Sequence, residues 1–204
     1  YSCAVFDSKG DLCAQAAHIP VHLGSMAYAM QSIVSRFDWQ PDDMMIVNDP
    51  YLGGTHLPDV TFISPVINKG KLLAFVANRA HHADIGSDSP GSMPISSTLE
   101  EEGLIIPPSY IVRQGQLQDE MMNRLVGATR QPQTMQGDIA AQMSANRTGC
   151  QRLQELINTL NRSSEEPVFT MALAALNDYA GRLARPVYNA IPDGQYCFTD
   201  YMDD

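Results

Sequence analysis

Val60 to Ile67 and Leu72 to Asn78 are two apolar-rich runs separated by Asn68-Lys69-Gly70-Lys71. Runs of this length on either side of a Gly-containing polar tetrapeptide read as two strands joined by a tight turn. An antiparallel hairpin sets the entry of its first strand beside the exit of its second. The entry here carries His56 and Asp59, and the exit carries His81, His82 and Asp84. One pairing therefore constrains the fold and also gathers two polar clusters that lie far apart in the chain.

His56 and Asp59 are spaced i, i+3 across a Pro-containing turn, and His81 and Asp84 repeat that spacing. A single such histidine is ordinarily a hydrogen-bonded structural residue, and a single such aspartate can cap a strand end. Two matched pairs at opposed hairpin ends point instead to a metal site. Two imidazoles and two carboxylates can close four positions around a divalent cation, and a mixed N/O set suits Zn²⁺, Mn²⁺ or Fe²⁺ better than Ca²⁺ or Mg²⁺. In an extended segment His82 points away from His81, which makes it a candidate acid/base or supporting residue. Asp49, between Asn48 and Pro50, is a candidate supporting carboxylate or additional ligand. His18 and His22 flank Ile19-Pro20-Val21 and fit equally a pocket lining or a structural turn.

Around this hairpin the pattern predicts an α+β protein, with an antiparallel sheet near the N-terminus and amphipathic helices after it. Cys3 to Phe6 and Leu12 to Ala16 flank a turn at Asp7-Ser8-Lys9-Gly10. Ser25 can cap a helix that runs to about Phe37 with Met26, Ala29, Met30, Ile33 and Val34 on one face. Met44 to Val47 reads as a buried strand and Ile85 to Ser97 as a loop. Thr98-Leu99-Glu100-Glu101 resembles a capping box that opens a short helix. Gln136 to Leu160 is strongly helical. Asn146 sits in the middle of its apolar stripe, either as a buried polar group with dedicated partners or as a pocket-lining residue. A second helix is predicted over about Val168 to Leu183. A terminal strand over Tyr196 to Met202 should follow the turn at Pro192-Asp193-Gly194.

Composition removes several functional classes. Hydrophobic residues make up 44% and charged residues 18% of the 204, as in folded globular proteins. A formal net charge of −10 with no local Lys/Arg cluster disfavours nucleic acid as a partner. No apolar run approaches the roughly 20 residues of a membrane-spanning helix, and no signal peptide is recognisable at the start. Cys3, Cys13, Cys150 and Cys197 form no CxxC pair, which fits reduced thiols in a cytoplasmic protein. No nucleotide cradle of the GxxxxGK[ST] or GxGxxG kind is present. Both ends of the sequence fall in strand-like segments, so the chain reads as an internal piece of a larger subunit.

Several segments closely resemble the hydantoinase B/oxoprolinase family. They are Cys3 to Phe6 with Asp7, Gln15 to Met26 (QAAHIPVHLGSM), Asn48 to Pro65 (NDPYLGGTHLPDVTFISP) and Ala80 to Pro94 (AHHADIGSDSPGSMP). Further along come Glu101 to Pro108 (EEGLIIPP), Gly137 to Gly149 (GDIAAQMSANRTG) and Asp200 to Asp204. Ser87 departs from the pattern, which has a second glycine after Gly86. The resemblance covers residues 1–204, as a partial domain cut at both ends.

What it implies is a subunit of an ATP-dependent cyclic amidohydrolase. A hydantoinase A-type partner would bind ATP and phosphorylate a carbonyl oxygen of a hydantoin or 5-oxoproline ring, and this subunit would complete ring opening. By the same likeness His56, Asp59, His81 and Asp84 would hold the metal, which would act as a Lewis acid or activate a bound water. His82 would move protons. Acetone and acetophenone carboxylases use similar subunits, so a ketone-carboxylase role is the alternative. A third reading is a non-catalytic structural subunit whose His/Asp cluster is an unmetallated remnant or a stabilising metal clip.

Overall fold

In a computed structural model, described for residues 1–16, 19–89, 91, 94–162 and 167–201, seven strands form one sheet. In chain order they are β1 (Ser2–Asp7), β2 (Leu12–Gln15), β3 (Met44–Val47), β4 (Asp59–Asn68), β5 (Lys71–His81), β6 (Ser109–Arg113) and β7 (Gln116–Leu117). The spatial order is β2-β1-β5-β4-β3-β6-β7, and every pairing is antiparallel. Four helices accompany it: α1 (His22–Val34), α2 (Asp119–Ala128), α3 (Pro132–Leu160) and α4 (Val168–Asn189). This is the expected α+β class. None of the described helices is long and apolar enough to cross a membrane.

The β4–β5 hairpin forms the centre of the sheet. Lys69 and Gly70 take φ of 51° and 75° at its turn, the doubly positive backbone that matches the twist of two antiparallel strands. Side chains then alternate between the faces. Ile63, Phe75 and Ala77 pack with Met26, Met30 and Ile33 of α1. Val60 and Phe62 pack with Met135, Ile139 and Met143 of α3. Further along the same face Val66, Ala74 and Val76 meet Leu153 and Ile157. The sheet is thus covered on both faces, and β3 is buried throughout.

α3 is seated by polar as well as apolar contacts. Asn146 is fully buried and accepts from Asn78 Nδ2 at 2.7 Å while donating to Ser64 Oγ at 3.0 Å. One turn earlier, Gln142 donates to Asn78 Oδ1 at 2.8 Å and to the Val60 carbonyl at 2.9 Å. Asn146 is therefore a buried polar group with dedicated partners, and it also borders a cavity of about 410 Å³.

Several elements depart from the sequence-based expectation. α1 begins three residues before Ser25, whose hydroxyl donates back to the Val21 carbonyl and accepts from Arg79 rather than capping the helix. The segment after Thr98 is a single 3-10 turn, Leu99–Glu102, with no side-chain cap from Thr98. α3 starts earlier than predicted, with Pro132 in its first turn, where a missing N–H is harmless. α4 continues beyond Leu183 to Asn189. No strand forms over residues 195–201, where Tyr196, Phe198 and Tyr201 are exposed. The alternation there has no neighbouring strand to pair with.

Replacing Asn146 by Leu leaves the Ser64 hydroxyl and an Asn78 amide proton buried without a partner. A loss of about 1–3 kcal/mol in urea denaturation is the expected outcome. An unchanged midpoint would show the polar contacts to be energetically idle.

Candidate metal centre

The register of the hairpin sets Asp59 directly opposite His81 and Thr61 opposite Arg79. Alternation places all four on the face covered by α1. His56 joins them through the turn that enters β4, where the Asp59 N–H donates to the His56 carbonyl at 3.0 Å. Ligand atoms of His56, Asp59 and His81 lie within 4.8 Å of one another, and the two imidazole centroids are 5.0 Å apart. Asp59 is buried, His56 is partly exposed and His81 is exposed. The group is anchored on the protein side and open on the other.

The loop that carries His56 is held by backbone chemistry. Asn48 donates to the carbonyls of Leu57 at 2.8 Å and Leu104 at 2.9 Å, and accepts from the Ile106 N–H at 2.7 Å. Asp49 caps the short turn Pro50–Leu52 by accepting from the Tyr51 N–H at 2.9 Å. At Gly53, with φ of 99°, a Cβ would lie 2.2 Å from that of Ala29. At Gly54 it would lie 2.1 Å from the Asn48 carbonyl oxygen. Glycine at 53 lets the loop press this closely on α1, and glycine at 54 lets it fold back on Asn48.

Asp59 is also gripped from behind. His22 Nε2 lies 3.0 Å from Oδ2, the Thr55 hydroxyl donates to the same oxygen, and His56 Nε2 is 3.4 Å away. Burial alone would raise the Asp59 carboxyl. The bonds from Thr55 and His22 and the nearby imidazoles outweigh it, so the group stays ionised below the usual carboxylate range. Beside it Arg79 is fully buried. Its guanidinium donates to Thr61 Oγ1, Ser25 Oγ and the Gly53 carbonyl, each at 2.7 Å. Burial lowers its pKa to about 10, with the Asp59 charge pulling the other way.

Two of the expected site residues stand elsewhere. Asp84 is not brought to the group. Its Oδ1 accepts from the Gly86 N–H, and its Oδ2 from the Thr129 hydroxyl and the Arg130 N–H, each at 2.8 Å. It fastens the loop after β5 to the start of the α3 segment. The repeated H-x-x-D spacing misleads because the first pair turns into a strand while the second runs out of one. His82 points away from His81, as alternation requires, and is buried on the α3 face. Its Nε2 donates to Gln142 Oε1 at 2.7 Å, since the Gln142 amide nitrogen already donates elsewhere. Burial lowers its pKa, so it is held neutral. His18 lies outside the described residues. His22, read from the sequence as pocket lining or a structural turn, stands behind Asp59, whereas Ser2, Thr55 and Arg79 were not singled out by pattern. Of these only Arg79 carried a local signal, two residues before His81 on the same strand face.

The antiparallel sheet thus brings two imidazoles and a carboxylate together on one face, a group that could hold a divalent cation. The chain belongs to the hydantoinase B/oxoprolinase family, which it matches over residues 1–204. It is 42% identical to the 5-oxoprolinase of Dictyostelium discoideum over 78% of this chain and 13% of that one. It is 33% identical to the caprolactamase subunit beta of Pseudomonas jessenii over 100% of this chain and 35% of that one. The crystal structure of that ATP-dependent caprolactamase superposes with a TM-score of 0.86, covering 95% of this chain and 33% of that one at 33% identity. Acetone carboxylase superposes at 0.80 with 20% identity, over 94% of this chain and 26% of that one; this likeness is one of fold. The chain thus spans between 13% and 35% of the length of the curated relatives compared here.

Asp84 offers a linkage test. Burial would raise its pKa, but the bonds from Gly86, Arg130 and Thr129 hold it below the ordinary 3.8. A depressed carboxyl stabilises the fold above its unfolded pKa and loses that contribution as pH falls through the folded value. Asp84→Asn should therefore lower stability at neutral pH, with the gap to wild type narrowing at about pH 3. Urea midpoints at the two pH values check this, and a gap independent of pH would refute it.

Proposed function

We propose that this chain is the metal-bearing portion of an ATP-dependent hydrolase of cyclic amides, acting with a hydantoinase A-type partner subunit that binds ATP. The observation that carries it is the convergence of His56, Asp59 and His81 on one open face of the sheet. Two imidazoles and a carboxylate are the donor set of catalytic sites that leave positions free for water or substrate, and they suit Zn²⁺, Mn²⁺ or Fe²⁺. When bound, the cation would supply Lewis-acid polarisation of an amide oxygen or a hydroxide at neutral pH.

The chain's own residues supply the geometry. Asp59 brings a fixed negative charge, and His56 and His81 bring imidazole nitrogens from either side of it. Thr55 and His22 hold the carboxylate, while Arg79 ties the Gly53 loop, α1 and the sheet into one wall. Asp49 and His82 act at one remove, Asp49 by capping the loop that carries His56 and His82 by locking the end of β5 onto α3. The relatives favour amide hydrolysis over ketone carboxylation, because 5-oxoprolinase and caprolactamase share 42% and 33% of residues with this chain. The remaining length of those relatives would complete the domain and the substrate pocket. Four free cysteines are consistent with a cytoplasmic setting.

The test pairs the full-length protein with its ATP-binding partner. ATP-dependent opening of 5-oxoproline, hydantoin or caprolactam should appear, together with about one equivalent of Zn, Mn or Fe by elemental analysis. His56→Ala/His81→Ala should lose the metal and at least about 100-fold in turnover while remaining folded. Full turnover by a folded, metal-free double variant would sink the catalytic role and leave the cluster as a structural clip.

A further inference from the structure

Ser2, His22 and Asp59 form a buried row that sequence spacing does not reveal. His22 opens α1 and is 1% exposed, and Ser2 on β1 is 0% exposed. The Ser2 hydroxyl lies 2.9 Å from His22 Nδ1, and His22 Nε2 lies 3.0 Å from Asp59 Oδ2. In the sheet order β1-β5-β4, Ser2 and Asp59 stand on strands flanking the one that bears His81. Adjacent strands are about 4.8 Å apart, so a single imidazole with a hydrogen bond at each end bridges β1 to β4 above β5.

The direction of the row follows from its ends. Asp59 is an ionised carboxylate and can only accept, so His22 donates from Nε2. The other ring nitrogen, Nδ1, meets the Ser2 hydroxyl at 2.9 Å. Both ring nitrogens are committed inside the protein. Ligand atoms of His56, Asp59 and His81 form the close group and those of His22 fall outside it. Among the described residues, the hydrogen bonds to the Asp59 side chain arrive at Oδ2, from His22 and Thr55, and His56 Nε2 is 3.4 Å from that oxygen as well.

We propose that the Ser2–His22 row is a positioning device for the metal centre: it clamps Asp59 through Oδ2 and so fixes the carboxylate beside His56 and His81. His22 is a positioning residue rather than a ligand. Supporting groups of this kind fix the orientation and raise the basicity of the ligand they touch, and their loss costs about 10–100-fold in metal affinity. The proposal rests on the metal reading of His56, Asp59 and His81, and the experiment separates the two.

Two amide substitutions divide the row. His22→Gln places an N–H near the position of Nε2 and keeps the bond to Asp59. His22→Asn places its amide near Nδ1 and keeps only the bond to Ser2. Zn²⁺ affinity would be measured on the full-length protein by competition with a chromophoric chelator, with Co²⁺ absorption reporting the coordination environment. The expected order is wild type and Gln close together, with Asn about 10–100-fold weaker yet still saturating at the same stoichiometry and with the same Co²⁺ spectrum. Equal affinity of wild type and Asn would overturn the positioning role while leaving the metal centre intact. Loss of stoichiometric binding in both variants, as for His56→Ala/His81→Ala, would make His22 a ligand and overturn it from the other side. Absence of Zn²⁺ binding in wild type would bring down the metal reading and this inference together.

Discussion

The site depends on the register between β4 and β5. A strand side chain changes face with every residue, so a slip of one position would turn Asp59 or His81 toward the opposite face. Three features hold the pairing in place. The Lys69–Gly70 turn sets the closed end by its backbone conformation. Along the strands, Phe62 and Val60 belong to one apolar layer and Ile63 to the other, so a slip would misplace the core as well as the site. At the open end the His82 N–H bonds to the Pro58 carbonyl at 2.8 Å, extending the pairing past the last strand residue.

Burial of charge on the same face follows from that register. Arg79 is fully buried, and among the described residues its hydrogen-bond acceptors are all neutral oxygens. An isolated buried cation is costly, and the fixed charge at Asp59 offsets part of that cost. The two groups are mutually dependent, since each sits in a place where water cannot solvate it well. The Gly53 carbonyl that Arg79 holds belongs to the loop pressed on Ala29, so electrostatics and close packing converge on the segment that delivers His56.

Much of this was legible in the sequence, and for identifiable reasons. Local period and turn chemistry gave the β4–β5 hairpin, β3, the first hairpin and the helices α1, α3 and α4, because each is specified within a short window. The close approach of His56 and Asp59 to His81 follows from hairpin geometry alone. The strands β6 and β7 and helix α2 escaped: β7 has only two residues, and α2 buries Leu125 alone, so its apolar stripe is thin. Asp84 was assigned by the symmetry of two H-x-x-D pairs, which spacing cannot distinguish from the chain's direction into or out of a strand. His22 meeting Asp59, and Ser2 meeting His22, are contacts between residues 37 and 20 positions apart that no local pattern encodes.

The buried amides beneath the sheet have a different consequence. Apolar side chains on a helix can interdigitate with a sheet in more than one rotation or sliding position at similar energy, because dispersion has no direction. Ser64, Asn78, Asn146, Gln142 and His82 form a chain of directional bonds between α3 and both central strands. Sliding α3 by one turn would break all of them at once, and every member is buried. They work like the wards of a lock, admitting one seating of the helix and excluding its near neighbours. Substitutions of similar size in the surrounding Ile, Leu and Met positions should then be absorbed without drift of α3, since its placement is set by polar keys and not by the fit of the apolar filling alone.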